Sequence, residues 1–221
     1  MKTGLTELVF ILDRSGSMSG LESDTIGGFN SMLAKQQAEP GECRITTVLF
    51  DNNYEMLHDR TDLKAVSPIT EREYFVRGST ALLDAIGRTI NKIDNALKNT
   101  AKEYRANKVL FVVITDGMEN ASVEFSYRDV KSLVNKQKTK RNWEFIFLGA
   151  NIDAIDVANH FGIPKNRVQN FHNDSKGVAL NYNVVSQTIS TARCCGEKMI
   201  IPDGWGDKIY EDYKTRNGRE L

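Results

Sequence analysis

Three apolar runs, ELVFILD (7–13), VLFVVITD (109–116) and WEFIFLGA (143–150), restrict the folds open to this chain more than any other feature. Each is too continuously apolar to leave one face in water, so each reads as a strand covered on both sides, as in a parallel sheet. RITTVLF (44–50) is rich in β-branched residues, and YEMLHD (54–59) follows Asp51-Asn52-Asn53 as the return arm of a hairpin. RVQNF (167–171) is a weaker strand signal. Helical patterns lie between them. Over 81–104, Leu83, Ile86, Ile90, Ile93 and Leu97 step by three and four and form one apolar stripe. Shorter patterns cover 21–38, 126–140, 153–161 and 175–194. Strand alternating with helix predicts an α/β fold: a doubly wound, mostly parallel central sheet with helices on both faces and one antiparallel edge strand from the 44–59 hairpin.

At 221 residues, a single domain with a sizeable core is expected over 1–200, followed by a polar C-terminal tail over 201–221 that is either frayed or a docking arm. The 29 lysines and arginines balance 29 aspartates and glutamates, so no global field favours nucleic acid or a membrane surface. No apolar stretch has the length of a membrane span or of a signal-peptide core. Cys43, Cys194 and Cys195 give no disulfide framework and no CxxC pair, and a cytoplasmic location is expected. His58, His160 and His172 are scattered without zinc-ligand spacing.

The chemistry gathers at strand ends, where doubly wound sheets bind ligands. DRSGSM (13–18) sets Asp13, Ser15 and Ser17 at alternate positions as the chain leaves its first strand, so the three can converge on one point. One carboxylate with two neutral hydroxyls is a poor site for zinc or copper and suits a hard divalent cation such as Mg2+ or Mn2+. Such a cation needs further oxygen donors. Thr80, placed to N-cap the long helix, and Asp116, ending VVITD beside Gly117, are the candidates.

DRSGSM at 13–18, GSTALLDAI at 78–86 and ITDG at 114–117, in this order, resemble the von Willebrand factor type A domain over about 5–195. FLGANIDAIDVANHFGI (147–163) is similar, more loosely, to the later part of stand-alone bacterial and phage members. The resemblance implies a Rossmann-like fold and a metal-ion-dependent adhesion site made by Asp13, Ser15, Ser17, Thr80 and Asp116. Ser15, Ser17 and Thr80 would be direct ligands, and Asp13 and Asp116 would act mostly through bound water. It also implies a protein partner that supplies a Glu or Asp to the metal, and a last helix, 175–194 here, coupled to the site.

Other readings are plainer. Asp84 reads as part of a solvated helix face, Glu119 and Asn120 as rim residues, and Asp51 and Asp153 as loop acids. Lys131, Lys136, Lys138, Lys140 and Arg141 form a basic run, read as a solvated face rather than a nucleic-acid patch; an RNA-associated module is the reading it would otherwise support. An enzymatic alternative makes Asp13 the nucleophile of a Mg2+-dependent phosphoryl hydrolase. Such enzymes resemble DxDx at this loop, and Ser15 stands where the second acid would be. The expectation is therefore a binding module without catalysis.

Overall fold

The computed structural model describes residues 4–194, 196 and 198–216. The order is β1 (Thr6–Asp13), α1 (Glu22–Ala38), β2 (Cys43–Phe50), β3 (Tyr54–Asp62), α2 (Leu82–Lys98), β4 (Lys108–Thr115), α3 (Tyr127–Arg141), β5 (Glu144–Ala150), α4 (Ala154–His160), β6 (Val168–Phe171), α5 (Ser175–Cys194) and α6 (Asp207–Thr215). The six strands form one sheet in the order β3-β2-β1-β4-β5-β6. Only the β2–β3 pairing is antiparallel, which is the predicted hairpin and edge strand.

Side-chain alternation along the strands divides the core into two layers. Leu8, Phe10 and Leu12 of β1 face one layer with Phe29 and Leu33 of α1 and Val185 and Ile189 of α5. Val9 and Ile11 face the other, with Ile86, Ile90 and Ile93 of α2 and Val130 and Val134 of α3. Both faces of β1 and β4 are buried, which is why their sequences are continuously apolar.

Two local features depart from the sequence expectation, and a third decides between two readings. The long helical pattern stops at Lys98, and Lys102–Tyr104 forms a separate 3-10 turn. Thr80 is not the N-cap of α2; Ala81 takes that place, and the Thr80 N–H donates to Asn120 Oδ1 at 2.9 Å. Over residues 201–216 the segment lies against the domain. Ile201, Trp205 and Ile209 are buried in the α1–α5 layer, and α6 docks against β6.

The strand order reverses between β2-β1 and β4-β5, so the loops after β1 and β4 leave the sheet toward opposite faces. The crevice beyond their carboxyl ends is where this architecture accommodates a ligand. Because Ile90 is fully buried between α2 and the sheet, Ile90→Ala should lower stability by roughly 2–5 kcal/mol. Urea denaturation with an unchanged m-value would show it; a loss well under 1 kcal/mol would contradict the packing described.

Candidate metal centre

Parallel register brings the first two acids together. Leu12 is paired with Ile114, so Asp13 emerges beside Thr115, whose hydroxyl donates to Asp13 Oδ2 at 2.5 Å. The other carboxylate oxygen, Oδ1, accepts the Ser15 N–H at 2.7 Å, turning the chain back over the strand end. Tyr74, fully buried, donates its hydroxyl to the Asp13 carbonyl at 2.5 Å. A 3-10 turn at Gly16–Met18 follows, pinned by buried Met18. It brings Ser17 Oγ to 3.0 Å from Ser15 Oγ and lets it donate to Asp116 Oδ1 at 2.5 Å.

Thr80 arrives from a third loop, and Gly117 shows where the hydroxyls converge. A Cβ added to Gly117 would lie 2.9 Å from Thr80 Oγ1, 3.0 Å from Ser17 Oγ and 3.7 Å from Ser15 Oγ. The three hydroxyls thus surround one small space beside the Gly117 Cα, with Asp116 adjacent. Asp13, Ser15, Thr80 and Asp116 are buried, whereas Ser17 is exposed and leaves the cluster open to solvent on its side. All five residues singled out from the sequence are brought together.

The electrostatics are those of a place lacking positive charge. Burial pushes the Asp13 carboxyl up to about 6, against the opposing hydrogen bonds from Thr115 and Ser15. Burial also raises Asp116, opposed by hydrogen bonds from Ser17 and Asn173. Among the described residues neither carboxylate forms an ion pair with Lys, Arg or His. Two desolvated acids and three hydroxyls fit a hard divalent cation. Among the described residues no group of three or more His, Cys, Asp or Glu side chains is placed to hold a metal ion.

The rim corrects several sequence readings. Asp84 does not lie on a solvated face: it is buried and accepts the N–H groups of Val123, Glu124 and Phe125, each at 2.9 Å. It thereby lays the segment after Gly117 back along α2, where the Phe125 ring packs against Gly87. Glu119 works in the same way, accepting from the N–H groups of Leu83, Ala121 and Ser122. Asp51 is a buried ion-pair partner of Arg14 and Arg77, and Asp153 caps α4. In the basic run, Lys136 and Arg141 pair with Asp94 on α2, and Lys138 donates to the Gly162 carbonyl.

Sequence reasoning passed over Thr115, Tyr74, Arg14 and Asn173. Asn173 follows β6 at the same end of the sheet and donates to Asp116 Oδ2 at 2.9 Å. The rule that led to Asp116, a polar residue just past a strand's carboxyl end, also points to Asn173 once RVQNF is taken as a strand.

Comparison with known proteins bears on the fold. The von Willebrand factor type A domain family matches residues 7–182. A von Willebrand factor type A protein from Catenulispora acidiphila superposes with a TM-score of 0.61 at 14% identity, covering 86% of this chain and 43% of that one. The vWF domain of the pilus tip protein Mfa5 from Porphyromonas gingivalis gives 0.61 at 13% identity, over 87% of this chain and 97% of that one. Manganese-loaded TRAP protein from Plasmodium vivax gives 0.55 at 19% identity, over 81% and 73%. The chain also spans under half of the mussel byssus protein PTMP1, solved with a zinc-occupied MIDAS motif (TM-score 0.55, 15% identity, 85% of this chain and 46% of that one). These likenesses establish the fold. No curated protein matches the sequence.

Replacing Asp84 by Ala strips three backbone amides of their acceptor and should cost about 2 kcal/mol. Amide hydrogen exchange should quicken at 123–125; unchanged protection there would refute the role given to Asp84.

Proposed function

The chain belongs to the von Willebrand factor type A domain family, and from that premise we propose that it is a divalent-cation-dependent protein-interaction module. It would bind an acidic side chain of a partner protein through Asp13, Ser15, Ser17, Thr80 and Asp116. Metal-dependent protein–protein interaction is what this family is known for. The observation that carries the reading for this chain is the convergence of three hydroxyls beside Gly117, next to two buried acids that have no cationic partner among the described residues.

Each residue has a physical task. Asp116 accepts the Ser17 hydroxyl proton, which turns the oxygen lone pairs of Ser17 toward the shared space. Asp13, clamped by Thr115 and the Ser15 amide, holds the loop in the curve that places Ser15. Ser15, Ser17 and Thr80 then offer uncharged oxygen donors, with the carboxylates behind them. A divalent cation held there supplies positive charge that mostly neutral ligands leave unneutralised, and a partner's Glu or Asp completes it. Hard oxygen donors favour Mg2+, with Mn2+ as a close substitute. The manganese and zinc seen in TRAP and PTMP1 support a divalent ion in general.

Nothing in the geometry favours the phosphoryl-hydrolase alternative. Both Asp13 oxygens already accept hydrogen bonds, and the position two residues on is the Ser15 hydroxyl, not a second acid. The RNA reading loses Lys136, Lys138 and Arg141 of its patch to intramolecular partners. Among the described residues no helix is long and apolar enough to cross a membrane.

Calorimetric titration with Mg2+ and Mn2+, with and without a Glu-containing peptide, tests the proposal. Wild type should bind, binding should tighten with the peptide, and Asp13→Ala should abolish it. Gly117→Ala should fold normally yet bind at least tenfold more weakly, because its methyl group fills the space the hydroxyls enclose; loss of a group that merely orients a metal's ligands already costs about 10–100-fold. Equal binding by wild type and both variants would reject the site.

A further inference from the structure

A cation site built from loops is only as firm as the loops, and the loop carrying Asn173 is held in an unusual way. Asn173 Nδ2 donates to Asp116 Oδ2 at 2.9 Å. The residues on either side of it are gripped by the C-terminal half of α6. The His172 ring lies 4.8 Å from that of Tyr213, and its Nε2 is 3.1 Å from the Tyr213 carbonyl oxygen. Asp174 pairs with Arg216, and Lys176 pairs with Asp212 at 2.5 Å. Arg216 also reaches Asp212 at 2.9 Å, so the clamps are linked.

The gripped segment is compact and tied to itself. The Gly177 N–H donates to Asp174 Oδ1 at 2.8 Å, and a Cβ on Gly177 would lie only 2.1 Å from the His172 carbonyl oxygen. The arm that grips it has two different halves. Its beginning is anchored by buried Ile201, Trp205 and Ile209, with the Trp205 indole N–H donating to the Asn166 carbonyl. Its later part does not seal onto β6: a hollow of about 490 Å³ lies there, lined by Ile155, Val168, Gln169, Asn170, Tyr210 and Tyr213. What keeps that half down is polar and only partly buried, and such contacts are weak singly and screened by salt.

We infer that α6 is a strap that locks the His172–Gly177 loop so that Asn173 positions Asp116, making Asn173 a positioning residue of the cation site. α6 lies beyond the family-matched span. The inference rests on the cation-site reading for its effect on affinity, but not for the strap itself. With the strap down, Asp116 has one oxygen on Asn173 and the other on Ser17. With it released, the Asn173 hydrogen bond loses its support and the carboxylate is free to rotate away from the hydroxyl cluster.

Hydrogen–deuterium exchange on the metal-free protein and Mn2+ titration together test this, using Asn173→Ala, the strap variant Asp212→Asn/Arg216→Ala, and their combination. In the strap variant, exchange over 172–177 should rise about tenfold while β4 keeps its protection. Mn2+ affinity should fall roughly tenfold in Asn173→Ala and measurably in the strap variant. The combined variant should bind no more weakly than Asn173→Ala alone, because both changes break one pathway. Unchanged exchange at 172–177, or affinity losses that add, would overturn the inference. Mn2+ binding by none of the proteins, wild type included, would sink the cation-site reading instead; the exchange result alone would then decide the strap.

Discussion

The carboxyl end of the sheet is organised around one buried ion pair, Arg14 with Asp51. Both side chains are fully buried, and Arg14 Nε lies 3.0 Å from Asp51 Oδ2. Arg14 follows β1 and Asp51 follows β2, so the pair ties neighbouring strand ends. Arg77 adds a second guanidinium to the same carboxylate oxygen at 2.8 Å and donates its N–H to the Arg14 carbonyl at 2.9 Å. The Asp51 carbonyl receives the Ala81 N–H, and the Gly78 carbonyl receives the Gly16 N–H. The loop that delivers Thr80 is thereby stitched to the loop that delivers Ser15 and Ser17. Burying such charges is costly, and removing one partner leaves the other uncompensated. Position, more than net stability, is what the pair secures.

The same few residues show an unequal sharing of charge. Burial alone pushes the Asp51 carboxyl up, but hydrogen bonds from Arg77 and Asn53 and the charge of Arg14 hold it below the ordinary carboxylate range. Asp13 is next in sequence to Arg14, yet its carboxyl receives only neutral donors and is displaced upward. Asp116 is in the same condition. Among the described residues two arginines reach Asp51, and none reaches the two acids beside the hydroxyl cluster. An external cation fits that imbalance.

The residues with local signatures were legible in the sequence: continuous apolar strands, a stepped apolar helix face, and D-x-S-x-S at a strand end. Asp13, Ser15, Ser17, Thr80 and Asp116 announced themselves because donor type and place in the alternation coincided. The misread residues have partners distant in sequence. Asp84 looks solvated on a helical wheel, since nothing local reveals that residues 123–125 fold back onto it. Arg14 and Asp51 are 37 positions apart and paired only by strand order. Thr80 reads as a helix cap because threonine before an apolar stripe is a common start signal, whereas its amide is claimed by Asn120 from another loop. The polar composition after Ile201 concealed Trp205 and Ile209, two apolar residues spaced to reach one layer of the core.

The two ends of the sheet treat buried charge in opposite ways, and this gives the molecule its direction. At the amino end, Lys108 donates to the Ala192 and Arg193 carbonyls at the finish of α5, where the helix dipole favours a cation. Arg193 in turn donates to the carbonyls of Gln36, Pro40 and Gly41 at the finish of α1. Those cations meet carbonyl oxygens supplied by the chain itself, while Arg193 also lines a hollow of about 480 Å³ with Gln36, Cys43 and Asp62. At the carboxyl end, β1, β2, β4 and β6 run into Asp13, Asp51, Asp116 and Asn173. Parallel strands point all these residues the same way, and register fixes their mutual height. Asp51 is neutralised internally, and Asn173 donates to Asp116 without adding charge. Asp13 and Asp116 therefore keep no cationic partner among the described residues, beside three converging hydroxyls and an opening at Ser17. The direction of the strands, not any single loop, determines where a cation and the acid that follows it would enter.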